Sequence, residues 1–475
     1  MKKCAYCGRE NEDGAVHCQE CGTTEFKNSP IATSTDPTIA KCDRCGATTD
    51  IVGGFFKERK CFSHSMRTLC PTCWQKHNIS VQTRLLIFQL VPGPLGLLYL
   101  FLLPNDGMGW FLLNFFVFEI ALILSILPHE FGHAFMAKRI GWRVFKIFIG
   151  FGKTVFKANL FGFETEFHAI PLGGAVLAAP LGKDHYRSKL FAFALAGPLA
   201  NAVLMLGSLA ALGGSLTGFG SVVRQLAPLQ VFFLANLLIV IENLWPKQVT
   251  TSFGKRPSDG KQLLETLQAD PNRAAQSHAA GFIWEAAMCQ EKKQFAEAQS
   301  WLEKGLALYP DNLHLLTVQG LNLLYLRSFK EARECFLKVL PRTNKDRLLR
   351  SIILNDIAYT DALIGGPELL MEADRYSVEA LTNLSWMPSI KGTRGTVLLE
   401  LGKLDEALPL LREAMLTHDI PNNKAQNACW LAIAETRRGN LKAGRKYLDE
   451  ARKFDSACFL LERAQNILDR AKPIT

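Results

Sequence analysis

Leu85 to Pro104 contains no charged residue, and Met108 to Pro128 contains only Glu119. Each run is long enough for a helix to cross a bilayer. Nothing else in the chain constrains its fold as severely, because in hydrocarbon every backbone N–H and C=O must be satisfied within the segment itself. Two further apolar runs follow, Leu190 to Leu212 and about Leu226 to Ile241, so four spans are expected. The short loops "NDGMG" and "GGSLTGFGSVV" carry no Lys or Arg, whereas the segment from Lys138 to Lys189 and the flanks near Arg84 and Lys247 are rich in them. The positive-inside rule then places both termini and the long middle segment in the cytoplasm. The opening "MKKCAYCGRENEDGAVHC" has no apolar h-region, in keeping with a cytoplasmic N-terminus.

Thirteen cysteines are present, nine of them before residue 74. In a reducing compartment, paired CxxC motifs are metal sites before they are disulfides. Cys4 and Cys7 are followed by Cys18 and Cys21; Cys42 and Cys45 are followed by Cys70 and Cys73. Both sets resemble zinc ribbons, in which four thiolates close a tetrahedral site and order a segment too short for a large core. Four thiolates leave no position for water, so these two zinc ions are structural. Cys61 and His64, inside the second set, could replace one ligand but are read as a spare thiol and a surface histidine. The net charge of +10 lies largely beside the apolar runs and lacks the clustered basic and aromatic pattern of a nucleic-acid surface, so nucleic acid is not an expected partner.

At the end of the second run stands "LPHEFGHAF". HExxH on a helix puts His129 and His133 one turn apart on one face, able to share one zinc, with Glu130 beside them as base. Polar groups at the end of a membrane helix are costly unless employed. Glu119 lies in the same run and can line a water route or pair with another span. "LFGFETEFHAI" alternates apolar and polar residues, and "VFKIFIGFG" before it is a plausible hairpin partner. An exposed edge there could accept an unwound substrate as an added strand.

"HEFGH", "IPLGGAV", "LAGPLANAV" and "NLWP…SDG" occur in the order seen in site-2 proteases, the intramembrane zinc metallopeptidases, which residues 85 to 270 resemble. The resemblance implies His129, His133 and Asp259 as zinc ligands and Glu130 as catalytic acid and base. It also implies that Asn201, which with Gly197 matches the family's GxxxN, assists substrate or oxyanion binding. The family usually writes N-x-x-P-x-P-x-L-D-G; here "KQVTTSFGKRPS" separates Pro246 from Asp259, which puts the path to the third ligand in doubt. Asp270, in "QADPN", reads as an inter-helix turn and is the weaker candidate.

The last 200 residues are helical and repetitive. Aligning "QGLNLLYLRSFKEARECF" with "RGTVLLELGKLDEALPLL" sets Gly320 over Gly395, Phe329 over Leu404 and Ala332 over Ala407, and Ala298 precedes Ala332 by 34 residues. That is tetratricopeptide spacing, for about five repeats, the third irregular and the last degenerate. Such stacks offer a concave groove for a peptide or partner helix.

The expected fold class is a multi-pass α-helical membrane protein with four spans and a small β-hairpin insertion, N-terminal zinc ribbons and a C-terminal all-α tetratricopeptide solenoid. The expected division is 1–25 ribbon one, 26–40 linker, 41–76 ribbon two, 84–270 membrane metalloprotease and 275–475 repeats. The expected function is intramembrane zinc endopeptidase, cleaving a membrane-anchored protein, with one catalytic and two structural zinc ions, the lipid bilayer as environment and a cytoplasmic protein partner on the repeats. The alternative is an inactive membrane-anchored scaffold that binds partners through its repeats and ribbons.

Overall fold

The computed structural model describes residues 2–4, 10–11, 26–27, 40–46, 48–49, 56–59, 66–104, 107–214, 217–251, 254–268, 271–418 and 420–471. Among the described residues, seven short strands precede the first helix. β1 (Lys2–Cys4) pairs with β2 (Glu10–Asn11) and β3 (Phe26–Lys27), β4 (Ala40–Lys41) with β5 (Thr48–Thr49), and β6 (Phe56–Arg59) with β7 (Met66–Leu69), all antiparallel. Of the first cysteine set only the Cys4 backbone, at the end of β1, is described; Cys7, Cys18 and Cys21, like Cys61 and His64, lie outside the described residues.

The apolar runs form helices, and proline starts α1, α2 and α5. α1 (Pro71–Leu90) passes into α2 (Pro92–Leu102) where Pro92 withholds a backbone donor. α3 (Gly107–Arg139) carries Pro128 immediately before the HExxH turn. After the hairpin come α4 (Tyr186–Ala211) and α5 (Pro228–Leu244). Where the sequence predicts four full spans, the described residues hold three helices long and apolar enough to cross a membrane, Lys76–Leu102, Gly107–Arg139 and Tyr186–Ala211. α5 is apolar but has 17 residues, about 26 Å of helix against a hydrocarbon core of roughly 30 Å. It begins at Pro228 and ends at Trp245, which precedes Pro246 and is extended. Its start is also fixed: the buried Asn114 of α3 donates to the carbonyls of Val222 and Gln225 and accepts from the Ala227 amide.

β8 (Trp142–Leu160) and β9 (Phe163–Pro180) make a long antiparallel hairpin, larger than the small one expected. Phe161 and Gly162, both at positive φ, close it as a two-residue turn. Register shifts between Val144 and Phe156 bend it, which lets Ile147, Ile149 and Phe163 pack on Phe131 and Ala134 of α3.

The C-terminal part is five successive helix pairs and a closing helix: α6 (Asp259–Leu267) leads into α7 (Pro271–Glu291) with α8 (Phe295–Leu308), α9 (Leu313–Tyr325) with α10 (Phe329–Val339), α11 (Arg347–Ile364) with α12 (Pro367–Asn383), α13 (Pro388–Glu400) with α14 (Leu404–Thr417), α15 (Pro421–Arg437) with α16 (Leu441–Phe454), and α17 (Leu461–Arg470). The aligned glycines are the points of closest approach: a Cβ on Gly320 would fall 2.6 Å from the Phe336 ring, and one on Gly395 2.7 Å from Leu411 Cγ.

Among the described residues the repeats meet the rest of the chain at the hairpin, at the start of α4, where Tyr186 Oη lies 2.7 Å from Ser277 Oγ, and at the second cysteine set. α7 lies on the hairpin, with Trp284 and Met288 against Phe145, Leu177 and Ala179. Lys146, 4% exposed, bridges Glu166 at 2.7 Å and Glu291 at 3.0 Å, and Lys157 contacts the same two carboxylates. The second cysteine set packs against the repeats through Leu384, Trp386 and Ile390.

Candidate active site

Two elements far apart in the chain, α3 and α6, meet behind the HExxH turn. Helical periodicity puts the imidazoles of His129 and His133 on one face of α3, and their Nε2 atoms lie 3.2 Å apart. Asp259 opens α6 and brings Oδ2 to 3.2 Å from His129 Nε2 and 3.4 Å from His133 Nε2. All three residues are buried.

The insertion that precedes Asp259 does not displace it. Residues 248–257 fold back on themselves as a hairpin of β10 (Gln248–Thr251) and β11 (Gly254–Pro257), pairing Gln248 with Pro257. Ser258 stitches the base shut: its amide donates to the Lys247 carbonyl, its hydroxyl donates to the Trp245 carbonyl, and the same oxygen accepts from the amides of Lys247 and Lys261. The last of these caps α6. The chain therefore leaves α5 and re-enters at Asp259 as if the insertion were absent. Asp270 lies outside the described residues.

The rest of the site fixes the histidines. His129 Nδ1 faces Asn201 Oδ1 at 2.7 Å, and His133 Nδ1 faces the Phe193 carbonyl at 2.7 Å. Both acceptors are oxygens, so both Nδ1 atoms carry the hydrogen and both Nε2 atoms present lone pairs. Asn201 is itself held, donating to the Ser125 carbonyl and to Asn236 Oδ1. Both of its amide hydrogens are thus engaged within the protein. Asn236 was not singled out by sequence, although an asparagine inside "FFLANLLIV" is the kind of buried polar residue in an apolar helix that signals a partner.

Two glycines leave the room this arrangement needs. A Cβ on Gly197 of α4 would lie 2.3 Å from His133 Nε2 and 2.7 Å from His129 Nε2; one on Gly174 of β9 would lie 2.5 Å from Glu130 Cγ. β9 therefore crosses directly over the Glu130 side chain, which is itself buried.

Two imidazole lone pairs and a carboxylate oxygen converge with no hydrogen between them, and Asp259 Oδ2 has no hydrogen-bond partner. Three acceptors facing one point repel unless a cation lies among them, and a two-nitrogen, one-oxygen donor set is suited to zinc. In the second cysteine set, Cys42, Cys45, Cys70 and Cys73 bring their sulfurs within 4.8 Å of one another, with Cys45 and Cys70 at 3.7 Å. A tetrahedron with zinc–sulfur bonds of about 2.3 Å has edges of about 3.8 Å, so this set fits zinc as well. A third group, Glu164, Glu166 and Glu291, already has Lys146 and Lys157 as its cations.

The model of peptidase family M50 matches residues 117–390, more than half of the chain and all of this site. The chain belongs to peptidase family M50, the site-2 proteases. Among curated M50-like relatives it is 37% identical over 102 residues to the regulator of sigma-E protease RseP of Salmonella typhimurium, covering 18% of this chain and 23% of that protein. It is 36% identical over 64 residues to the zinc metalloprotease Rip1 of Mycobacterium tuberculosis, covering 14% of this chain and 16% of that protein. The chain thus spans less than a quarter of the length of either. Among solved structures, a thermophilic TPR protein of Thermus thermophilus is similar at 18% identity and a TM-score of 0.33, covering 40% of this chain and 98% of that one. In this M50 chain the family's motifs are the points where elements meet: HExxH on α3, GGAV on β9, AGPLAN on α4 and SDG on α6.

Proposed function

We propose that the chain is an intramembrane zinc endopeptidase that cleaves a membrane-anchored protein within or near its transmembrane segment. The observation that carries the reading is the convergence of His129 Nε2, His133 Nε2 and Asp259 Oδ2 beside a buried glutamate, a donor set of three protein ligands as a catalytic zinc uses. Those three residues would hold zinc, which supplies Lewis acidity toward water and the scissile carbonyl. The chain's own residues do the rest. Asn201 and the Phe193 carbonyl lock the imidazoles so that both lone pairs stay aimed. Glu130 takes the proton of the attacking water and returns it to the leaving nitrogen.

A transmembrane helix hides its peptide bonds in its own hydrogen bonds, so the substrate must unwind before it is cut. β9 passes over Glu130 at Gly174, and a substrate segment added along it as an extra strand would present an extended backbone to the base. The positive-inside pattern supports a cytoplasmic position for the termini, ribbons and repeats, with α5 as a fourth crossing that tilts little and thins the bilayer around it. The repeats then recruit substrate or a partner on the side from which water arrives. An inactive scaffold would have no use for a buried Glu130 or for an insertion that returns the chain to Asp259.

The test is Glu130→Gln, assayed in detergent with zinc counted alongside. Zinc per chain should stay at the wild-type value while peptide hydrolysis is lost; hydrolysis at the wild-type rate would remove the protease reading.

A further inference from the structure

The first helices of four successive repeats, α9, α11, α13 and α15, line a common groove. A cavity of about 130 Å³ opens in its floor, room for one long side chain but not for a folded element. Its walls are neutral: Tyr359, Gln426, Asn423 and Trp430 among them, with the Tyr359 hydroxyl donating to Gln426 Oε1 at 2.8 Å and accepting from Trp430 Nε1 at 3.3 Å. One lining residue is charged, and it is Asp356.

Asp356 has no cation. Its Oδ1 accepts from Asn355 Nδ2 at 3.1 Å, and no salt bridge engages it among the described residues. The neighbouring Asn355 is 6% exposed, and its Oδ1 is a buried acceptor without a donor. Arg463, whose guanidinium lies over the Trp430 ring, is tied to Glu400 and the Leu363 carbonyl. A carboxylate and an amide oxygen are thus left with acceptor capacity in one neutral, partly dry pocket. A half-buried carboxylate without a cation, beside a buried amide oxygen without a donor, is costly, and the missing group is a donor that carries positive charge. Burial pushes the Asp356 carboxyl up to about 7, against the lowering effect of the Asn355 hydrogen bond, which is the behaviour of a carboxylate with no cation nearby.

We propose that this groove holds an extended polypeptide segment and that the Asp356 pocket takes one lysine or arginine side chain of it. The acceptors bind the cationic head, and the rings of Tyr359 and Trp430 cover the aliphatic stem. The choice of partner rests on the recruitment reading above: the cytoplasmic flanks of membrane spans are enriched in Lys and Arg, so a pocket for one cation would seize a membrane-anchored substrate by the segment beside its span.

Selection of a random decapeptide display library on the full chain in detergent micelles tests this without requiring turnover. Retained peptides should carry Lys or Arg at one register position, and a labelled representative should bind at least tenfold more tightly than its norleucine counterpart. Asp356→Asn should erase that preference and leave the norleucine peptide bound as before, which also reports that the groove is folded; Asp356→Ser should do the same. Retained peptides without a preferred cation, retention of none, or an unchanged preference in Asp356→Asn would each overturn the proposal. Hydrolysis of a short unwound peptide is measured in parallel. In the wild-type chain, no cation preference with hydrolysis intact defeats the groove alone, and absent hydrolysis with the preference present defeats the protease reading alone.

Discussion

Replacing Gly197 with alanine adds one methyl group to α4 and should cost the membrane core its metal. The new Cβ would sit 2.3 Å from His133 Nε2 and 2.7 Å from His129 Nε2, the two atoms that must face the ion. The nearer contact is roughly an ångström short of ordinary van der Waals separation. Helix α4 lies backbone to backbone on α3 here, since a Cβ even on Gly132 would fall 2.6 Å from the Ala196 carbonyl. Either the imidazoles move or α4 shifts outward, and both strain the 2.7 Å bonds to Asn201 and to the Phe193 carbonyl, which α4 carries. Zinc–nitrogen bonds tolerate about 0.2 Å of error, and disturbing even an outer partner of a ligand costs about 10- to 100-fold in affinity. Displacing a ligand by about an ångström should cost at least the upper figure, about 2.8 kcal/mol. Zinc per chain, measured by elemental mass spectrometry after dialysis against a weak chelator, should fall by one, and peptide hydrolysis should vanish. Gly207→Ala is the matched control: same helix, same substitution, and nothing within 4 Å of the added Cβ. Both changes favour helix formation by about 0.5–1 kcal/mol, so loss of α4 does not explain a difference between them. Wild-type zinc and activity in Gly197→Ala would refute the assignment of the two histidines to one metal.

Asp259→Ala should likewise remove one zinc per chain and abolish cleavage, while shortening the insertion by deleting residues 249–256 should leave both intact, since Ser258 already brings the two ends together; zinc loss in the shortened chain would show that the hairpin supports the ligand. Asn236→Ala frees one amide hydrogen of Asn201, and should lower zinc affinity by about tenfold with Glu130 untouched; chelator competition reads this. Cys45→Ser should remove a second, separate zinc and loosen Leu384, Trp386 and Ile390 from the ribbon, seen as faster proteolysis between residues 380 and 390; unchanged zinc would remove the ribbon assignment. Glu166→Ala takes the 2.7 Å carboxylate from the buried Lys146 but leaves it Glu291 at 3.0 Å, and should destabilise the hairpin by about 1.5–3 kcal/mol, measured as a lower thermal midpoint in detergent. Deleting the repeats is a poor test of recruitment by comparison, because it would also strip Trp284 and Met288 from Phe145 and Leu177.

What the sequence determined by itself is what local spacing determines. The apolar runs dictate helices because a backbone in hydrocarbon has no other way to bond itself. HExxH puts two imidazoles on one face because 3.6 residues make a turn, and paired CxxC motifs, small residues at 34-residue spacing and alternating "LFGFETEFHAI" are equally local patterns. The linear chain could order the family's motifs but could not show what joins them. That Asp259 reaches the histidines in spite of twelve intervening residues depends on an insertion that closes on itself through Ser258. That Asn201 grips His129 and is gripped by Asn236 depends on where α3, α4 and α5 cross. The reason Gly174 and Gly197 must be glycine lies on other elements, in Glu130 and the two imidazoles that occupy the space a side chain would need. The docking of α7 on the hairpin, and of the second ribbon on the repeats, is a matter of which apolar faces remain uncovered once each unit has folded, and hydrophobic burial, being non-directional, leaves no sequence signature of its partner.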